Sequence, residues 1–287
     1  MLHIATVATH SERYLPVLEK MIEDRGIKFH KLAFGKKYQG HFMKDKEMIK
    51  LLRTLPNEDI VVFTDGFDSL LLGDGKEILD KFKSYDKKVL ISVENVKNSF
   101  LLHSYHFQKV FSKYINTGLY MGEVKYLLQI LQNIYEKSDD YTEDDQYNWG
   151  NFINNSEKYN FDKNLVGIDT ESKLFLNHSF TCNNTLSFDK EEKRLVLNKK
   201  ERPCFIQGNG AVNMNDIIEK AGYKKYNINK NNMFWEKIKF SYKAVFKTYP
   251  ILKFFISCIV IMVLFLLFSL YSYYKSRKFA SVNFTFS

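Results

Sequence analysis

Proline and cysteine are both rare in this chain, and each shortage argues against a class of protein. Only 4 of its 287 residues are proline, beside 25 phenylalanines and 18 tyrosines. Such a composition excludes a low-complexity or disordered chain. The 3 cysteines, Cys182, Cys204 and Cys258, match no zinc-ligand spacing. A disulfide between Cys182 and Cys204 stays open, but reduced and mostly buried thiols are the favoured interpretation.

The sequence also lacks any motif that would direct its positive charge to nucleic acid. The formal net charge is +9, yet the lysines are scattered and no zinc-finger or basic-helix motif organises them. An anionic membrane surface or a phosphorylated substrate accounts for this charge equally well. We therefore predict no nucleic-acid partner. The chain has no Gly-X-Y tract and no internal repeat either.

The first ten residues do not have the pattern of a secretory signal peptide. Residues 1–10 have no basic region followed by a long apolar region. They are therefore predicted to form a first strand rather than a signal peptide. The globular part of the chain is accordingly expected to stay in the cytosol.

One stretch near the C-terminus has no charged residue. A helix over Phe254–Tyr274 would span roughly 31 Å, which matches the hydrocarbon core of a bilayer. A core helix of a globular protein is rarely apolar on every side over this length. We therefore predict a single-pass transmembrane anchor, with tyrosines at one interface. More lysines precede this stretch than follow it, and this bias also favours a cytosolic globular domain.

The rest of the chain alternates between strand-like and helix-like segments. Predicted strands cover Leu2–Thr9, Ile27–Phe34, Ile60–Thr64 and Lys88–Val93, and predicted helices cover Glu12–Arg25, Lys44–Leu55, Lys76–Phe82, Val124–Tyr135 and Asp145–Asn154. This alternation predicts an α/β fold with a mostly parallel central sheet. The expected organisation is a domain over 1–235, a basic juxtamembrane segment over 236–253, a transmembrane helix over 254–274 and a short basic tail over 275–287.

The segment Ile60–Ser69 is the most informative part of the sequence. A short β-branched run ends in Asp65 and Asp68, with Gly66 between them. Two clustered carboxylates repel each other unless a cation lies between them, and divalent cations prefer oxygen ligands. The segment therefore predicts a metal site, and a solvated acidic turn is the plainer alternative. A phosphatase with an aspartyl-phosphate intermediate is disfavoured, because its second aspartate would follow two positions after the first.

Further polar or small residues stand at the ends of predicted elements. They occur in Ile91–Glu94, Lys113–Gly122, Asp144–Tyr147 and Phe205–Gly210. Asp144 and Asp145 lie at a predicted helix start, where a carboxylate interacts favourably with the helix dipole. The glycines after the strand at Phe205 would let the backbone approach a ligand closely.

Taken in chain order, these segments resemble the glycosyltransferase domain of procollagen lysyl hydroxylases and the related collagen glycosyltransferases. The resemblance covers about residues 1–223. It rests on Thr6–Thr9, on Phe63–Asp68 (F-[VT]-D-x-Y-D in the family), Ser92–Glu94 (S-A-E), Ile115–Gly118 (L-N-S-G), Asp144–Gln146 (D-D-Q), Gly167–Asp169 (L-D) and Gly208–Gly210 (H-G-N-G). It implies a GT-A-like, Rossmann-like nucleotide-sugar domain, here with a membrane anchor.

The activity implied is metal-dependent transfer of a hexose, glucose or galactose, from a UDP-sugar to an acceptor hydroxyl. The acceptor would be a protein or a glycan, with hydroxylysine in a collagen-like protein as one candidate. By this resemblance, Asp65 and Asp68 ligate Mn²⁺, with Mg²⁺ as the alternative. Asp144 and Asp145 orient the acceptor or assist its deprotonation. The donor-binding residues would be Thr6, Val7, Ala8, Thr9, Lys44, Phe67, Glu94, Asn116, Gly208, Asn209 and Gly210.

Gln207 departs from the family pattern. The family has a histidine here that serves as a third metal ligand, whereas a glutamine oxygen is a neutral and weaker ligand for transition metals. This difference keeps a second hypothesis open. The chain would then be a catalytically inactive membrane protein that binds a nucleotide sugar or a glycoprotein.

Overall fold

The computed structural model describes residues 1–94, 109–138, 141–142, 144–178, 186–209, 212–226, 257–269 and 271. The chain divides into two compact units, Met1–Lys237 and Ile238–Ser287. The first unit contains the strands and helices named below. The predicted residues Gly210 and Cys182 lie outside the described residues.

The strands are β1 (Leu2–Val7), β2 (Lys28–Leu32), β3 (Ile60–Thr64), β4 (Ser69–Leu71), β5 (Val89–Val93), β6 (Lys109–Val110), β7 (Lys113–Glu123), β8 (Val166–Ile168), β9 (Phe175–His178), β10 (Leu186–Asp189), β11 (Arg194–Leu197) and β12 (Phe205–Gly208). The α-helices are α1 (Leu15–Glu23), α2 (Phe42–Leu52), α3 (Gly75–Ser84), α4 (Val124–Tyr135), α5 (Asp145–Asn154) and α6 (Asn215–Lys220). Two short 3₁₀ helices cover Ser156–Tyr159 and Lys163–Leu165.

The central sheet has the order β2-β1-β3-β7-β5-β8, with β6 paired to β7. Strand β1 is parallel to β2 and β3, and β5 is parallel to β8. Strand β7 is antiparallel to β3, β5 and β6. The α/β prediction is therefore confirmed, but the sheet is mixed, whereas a mostly parallel sheet was expected.

The reversed direction of β7 brings several polar segments to one edge of this sheet. Parallel β1, β3 and β5 all end there, and an antiparallel neighbour begins where they end. Ser92 of β5 is paired with Asn116 of β7, and the Asp65 amide donates to the Gly118 carbonyl at 2.8 Å. A smaller sheet, β4-β12-β9, pairs Gln207 with Ser69. Residues distant in sequence therefore meet at this edge.

Side chains from successive strand residues enter two apolar clusters, because side chains alternate between the faces of a sheet. Val62 packs in the cluster that contains α1 and α3, whereas Val61 and Phe63 pack in the cluster that contains α2, α4 and α5. Both clusters consist of fully or nearly fully buried side chains. The edge of the sheet at which β1, β3 and β5 end is therefore packed against helices on both faces.

Cys204 is a buried free thiol next to β12, and burial raises its pKa to about 12. This agrees with the expectation of a reduced, buried cysteine at this position. The proposed partner, Cys182, lies outside the described residues.

In the second unit, residues 257–269 are helical and their side chains are exposed. The predicted transmembrane segment, 254–274, lies only partly within the described residues. Among the residues that the structure describes, no helix is long and apolar enough to cross a membrane.

Candidate active site

The site begins at the turn that links β3 to β4 and carries Asp65 and Asp68. Gly66 lies between them, packed against β1. A Cβ atom at Gly66 would lie 2.7 Å from Thr6 Oγ1, so a larger residue would push the turn away from β1. The glycine therefore lets both aspartates face the same edge of the sheet.

Gln207 of β12 joins the two aspartates. Its Nε2 lies 3.1 Å from Asp65 Oδ2 and 3.4 Å from Asp68 Oδ1, and the residue is 3% exposed. Gly118 of β7 makes room for this amide, because a Cβ atom there would lie 2.3 Å from Gln207 Nε2. The amide is therefore confined between β7 and the aspartate turn.

The two aspartates differ in how their charge is balanced. Burial, together with the negative charge of Asp65, raises the pKa of Asp68 to about 7. Asp65 instead has a direct ion pair, since Lys44 Nζ lies 2.8 Å from Asp65 Oδ1. The same Nζ lies 3.0 Å from Asp145 Oδ2. Lys44 of α2 thus links the aspartate turn to the start of α5.

These electrostatic interactions keep Lys44 charged in a partly buried place. Burial opposes that charge, but Asp145 and Asp65 outweigh the burial and raise the pKa of Lys44. In return, Lys44 holds the pKa of Asp145 below its usual range, although burial alone would raise it. The positively charged Lys44 side chain therefore lies beside the pair formed by Asp65 and Asp68.

The donor set of this site fits a hard divalent cation. Among the residues that the structure describes, no three His, Cys, Asp or Glu side chains form a group that could hold a metal ion. The ligands available at this site are therefore two carboxylates and one side-chain amide. Asp65 and Asp68 offer carboxylate oxygens, and Gln207 Oε1 is buried without a hydrogen-bond partner. A half-turn of the amide would exchange Nε2 for this oxygen beside the carboxylates. An oxygen-only set suits Mg²⁺ and Mn²⁺.

The acidic pair at the start of α5 has two different environments. Asp144 is the N-cap of α5, and its side chain accepts a hydrogen bond from the Tyr147 amide at 3.1 Å. Asp145 instead faces Lys44. Gln146 Nε2 donates to the Ile115 carbonyl at 3.1 Å and ties this helix start to β7. Asp145 therefore forms an ion pair with Lys44, whereas Asp144 caps the N-terminus of α5.

Glu94 follows β5 and organises a second polar group. Its carboxylate accepts hydrogen bonds from Asn116 Nδ2 at 2.5 Å and from Asn209 Nδ2 at 2.8 Å. Burial raises the pKa of Glu94 to about 7, although both amides oppose this shift. The Gly208 amide donates to the Asp68 carbonyl at 2.7 Å. The predicted residues of β5, β7 and β12 therefore meet beside the aspartate turn.

The end of β1 forms the remaining side of the site. Thr6 is fully buried and its Oγ1 has no hydrogen-bond partner, Ala8 is buried, and Val7 is partly buried. Thr9 Oγ1 lies 2.9 Å from His10 Nδ1. The His10 ring is 5.2 Å from the ring of Phe67. His10 was not predicted as a site residue, because a lone polar residue after a strand has no distinctive pattern.

Asp169 belongs to the matched motifs but has a structural role. Its carboxylate accepts hydrogen bonds from the backbone amides of Lys173, Leu174 and Phe175 and from the Tyr85 hydroxyl. These donors hold the turn between β8 and β9.

Chemically, the site combines an oxygen-rich place for a cation, a lysine charge, a nearby carboxylate and an amide cluster. A family model described as the PLOD GT domain matches residues 1–231, which include every residue of this candidate site. This chain belongs to the PLOD GT domain family. Membership makes it a glycosyltransferase domain.

A curated relative is the procollagen-lysine,2-oxoglutarate 5-dioxygenase of Drosophila melanogaster, 28% identical over 160 residues. The match covers 53% of this chain and 21% of that protein, so the chain spans about a fifth of its relative. Among solved structures, the galactosyltransferase LgtC with donor and acceptor sugar analogs is 15% identical, with a TM-score of 0.45 over 80% of this chain and 98% of the other. A glycosyltransferase that acts in glycosylation of the PBCV-1 major capsid is 12% identical, with a TM-score of 0.44 over 77% and 96%.

Proposed function

We propose that this PLOD GT domain is a metal-dependent, GT-A-like hexosyltransferase that uses a UDP-sugar. The observation that carries the proposal is the meeting of Asp65, Asp68 and Gln207 with the Lys44–Asp145 ion pair at one sheet edge. A carboxylate pair that lacks full charge compensation is suited to a cation. A lysine beside it is suited to an anionic leaving group.

Asp65, Asp68 and Gln207 would hold the cation. When bound, Mn²⁺ or Mg²⁺ would neutralise the negative charge that develops on the departing diphosphate. Lys44 lies close enough to Asp65 to act on the same phosphates. Phe67 and the end of β1 would bind the nucleoside, with Phe67 in the place of the family's tyrosine.

The amide cluster would bind the hexose. Asn116 and Asn209 both donate to Glu94, and Asn116 Oδ1 also accepts the Gly118 amide at 2.7 Å, so both side-chain amides have fixed directions. Such fixed groups are suited to recognising sugar hydroxyls. Glucose and galactose are the two candidates, because the family resemblance implies them. Residues that distinguish these sugars by hydrogen bonds need a defined orientation.

Asp145 would orient the acceptor hydroxyl. Lys44 keeps Asp145 ionised, so its free lone pairs can accept a hydrogen bond from that hydroxyl. Asp144 stands one residue away at the helix cap. Hydroxylysine in a collagen-like protein is the proposed acceptor, because the curated relative is named for procollagen-lysine.

We also propose that the uncharged stretch 254–274 anchors the protein in a membrane, with the first unit on the cytosolic side. Asn154-Asn155-Ser156 and Asn177-His178-Ser179 have the Asn-X-Ser pattern of N-glycosylation sequons. The sequon at Asn154 can test this placement, because Asn154 is exposed. The sequon at Asn177 cannot, because Asn177 is 1% exposed and donates to the Val93 carbonyl. The full chain, expressed in a eukaryotic cell, should carry no glycan at Asn154. A glycosidase-sensitive mass there would place the domain in the lumen.

A catalytically inactive sugar-nucleotide-binding protein is the second candidate. Gln207 favours it, because its Nε2 already bonds both aspartates and partly satisfies them. The deciding experiment measures UDP release from a panel of UDP-sugars with Mn²⁺ or Mg²⁺, with Asp65→Asn as the control. Release with one sugar, absent in the variant, supports the transferase. Metal-dependent UDP binding without release from any sugar supports the second candidate.

A further inference from the structure

Asp45 is a buried carboxylate that the proposed reaction does not use directly. It follows Lys44 on α2 and is 3% exposed. Burial and the nearby charge of Asp145 raise its pKa to about 7. A carboxylate in such a place is costly unless hydrogen bonds compensate it. The hydroxyl of Tyr141 supplies one, at 3.0 Å from Asp45 Oδ2.

Tyr141 lies on the chain segment that leads into α5. Its ring meets the ring of Tyr135 edge-on at 5.4 Å, and Tyr135 stacks with Phe42 of α2 at 6.5 Å. These contacts place Tyr141 between the ends of α2 and α4. Its hydroxyl can therefore reach Asp45 while its ring stays packed.

The next residue ties the same segment to α5. The Thr142 amide donates to Asn148 Oδ1 at 2.9 Å, and Asn148 Nδ2 donates to the Thr142 carbonyl at 2.7 Å. Asp145 lies between these two residues and bonds Lys44. Two neighbouring residues of α2 thus hold the segment at two points, through Lys44–Asp145 and Asp45–Tyr141.

We propose that Asp45 and Tyr141 are positioning residues, whose hydrogen bond holds Asp145 against Lys44. This inference rests on the proposed function, in which Asp145 orients the acceptor. Lys44 pairs with Asp65 and Asp145 at once, so a displaced helix start would move Asp145 away from Lys44 and from the proposed metal site beside Asp65. Rate is sensitive to such displacements, since a misplacement of about 1 Å can cost about 100-fold.

Tyr141→Phe tests the inference while keeping the ring on Tyr135. We expect kcat for transfer to fall about tenfold, with the Kd for UDP and Mn²⁺ within about twofold of the wild type. Asp45→Asn keeps an oxygen that can accept the Tyr141 hydroxyl, and should retain kcat within about twofold. Asp45→Leu has no acceptor and should behave like Tyr141→Phe. Tyr159→Phe, next to Phe152, is the matched control and should change nothing.

Amide hydrogen exchange over residues 141–148 gives a second measurement that requires no turnover. Exchange should become faster in Tyr141→Phe and stay as in the wild type in Asp45→Asn. Unchanged exchange in Tyr141→Phe, or an unchanged kcat, would overturn the positioning role. Equal loss of kcat in Asp45→Asn and Asp45→Leu would also overturn it. A wild-type protein that transfers no sugar while exchange responds as expected would overturn the proposed function instead.

Discussion

Asp68 and Asp169 both follow a strand of the central sheet, but their surroundings are opposite. Asp169 accepts three backbone amides and the Tyr85 hydroxyl, so each oxygen has donors. Asp68 has a side-chain contact of 3.4 Å from the amide of Gln207. Burial and the charge of Asp65 raise the pKa of Asp68 to about 7, although the charges of Arg13 and Lys44 oppose this shift. Of these two carboxylates, only Asp68 is short of hydrogen-bond donors, and it is the one that we propose for the metal site.

The largest expected effect comes from changing the carboxylates that are short of donors. Asp65→Asn and Asp68→Asn should each weaken metal-dependent UDP binding by about 100-fold or more, since loss of a supporting residue alone costs up to that factor. Thermal stability should stay nearly unchanged in Asp68→Asn, because this variant removes one of two repelling charges. Asp65→Asn should lose some stability, because it also breaks the ion pair with Lys44. Calorimetric titration of UDP with Mn²⁺ measures this effect. Unchanged affinity in both variants would contradict the metal site.

The same substitution at Asp169 should have the opposite outcome. Asn has one acceptor oxygen, and its amide would face backbone N–H groups that donate in the wild type. Asp169→Asn should therefore lower the free energy of unfolding by about 2–3 kcal/mol, with UDP affinity per folded molecule preserved. Urea denaturation of Asp169→Asn and Asp68→Asn, side by side, makes the test. Equal stability of the two variants would mean that hydrogen bonds compensate Asp68 and Asp169 to the same extent.

The acidic pair at the start of α5 offers a similar contrast between neighbours. Asp145→Ala should lower kcat for transfer by about 100-fold, because the acceptor loses its orienting group. UDP affinity should stay within a few-fold. Asp144→Ala should cost about 1 kcal/mol of stability as a lost helix cap. If Asp144→Ala lowers transfer as strongly and Asp145→Ala does not, the roles of the two residues are reversed.

Several of these elements were predictable because their signals are local. The strand Ile60–Thr64 and the helices Val124–Tyr135 and Asp145–Asn154 have the predicted bounds. Helix α1 begins later than predicted, at Leu15. Proline in its first turn lacks an N–H group, which makes it suitable for a helix start.

What remained unpredictable depends on contacts between distant residues. A strand has the same alternating pattern in either direction, so the reversal of β7 has no local signal. Lys44 and Asp145 are 101 residues apart, and the distance between them follows from how α2 and α5 pack. Asp144 and Asp145 are alike in sequence, and only the helix start decides which one becomes the cap.

Replacement of Gln207 should sharpen the description of the carboxylate pair. Gln207→His should tighten Mn²⁺ binding about tenfold and change Mg²⁺ binding less, because imidazole favours transition metals. Competition between the two ions, followed by the electron paramagnetic resonance signal of Mn²⁺, measures the ratio of the Mn²⁺ and Mg²⁺ affinities. An equal or weaker Mn²⁺ affinity would mean that another group already fills the position of the family's histidine.

The smallest expected effect concerns Glu94. Its compensation is intermediate between that of Asp68 and that of Asp169, because the side-chain amides of Asn116 and Asn209 donate to its carboxylate. Burial raises its pKa from 4.5 to about 7, so the folded state binds this proton more tightly than the unfolded state. Its contribution to stability is therefore complete below pH 4.5 and is lost as the pH rises to about 7. Glu94→Gln does not titrate, so its stability relative to the wild type should rise across this window and level off above it. Urea denaturation at a series of pH values measures that difference, and a constant offset between the two proteins would mean that Glu94 stays ionised throughout.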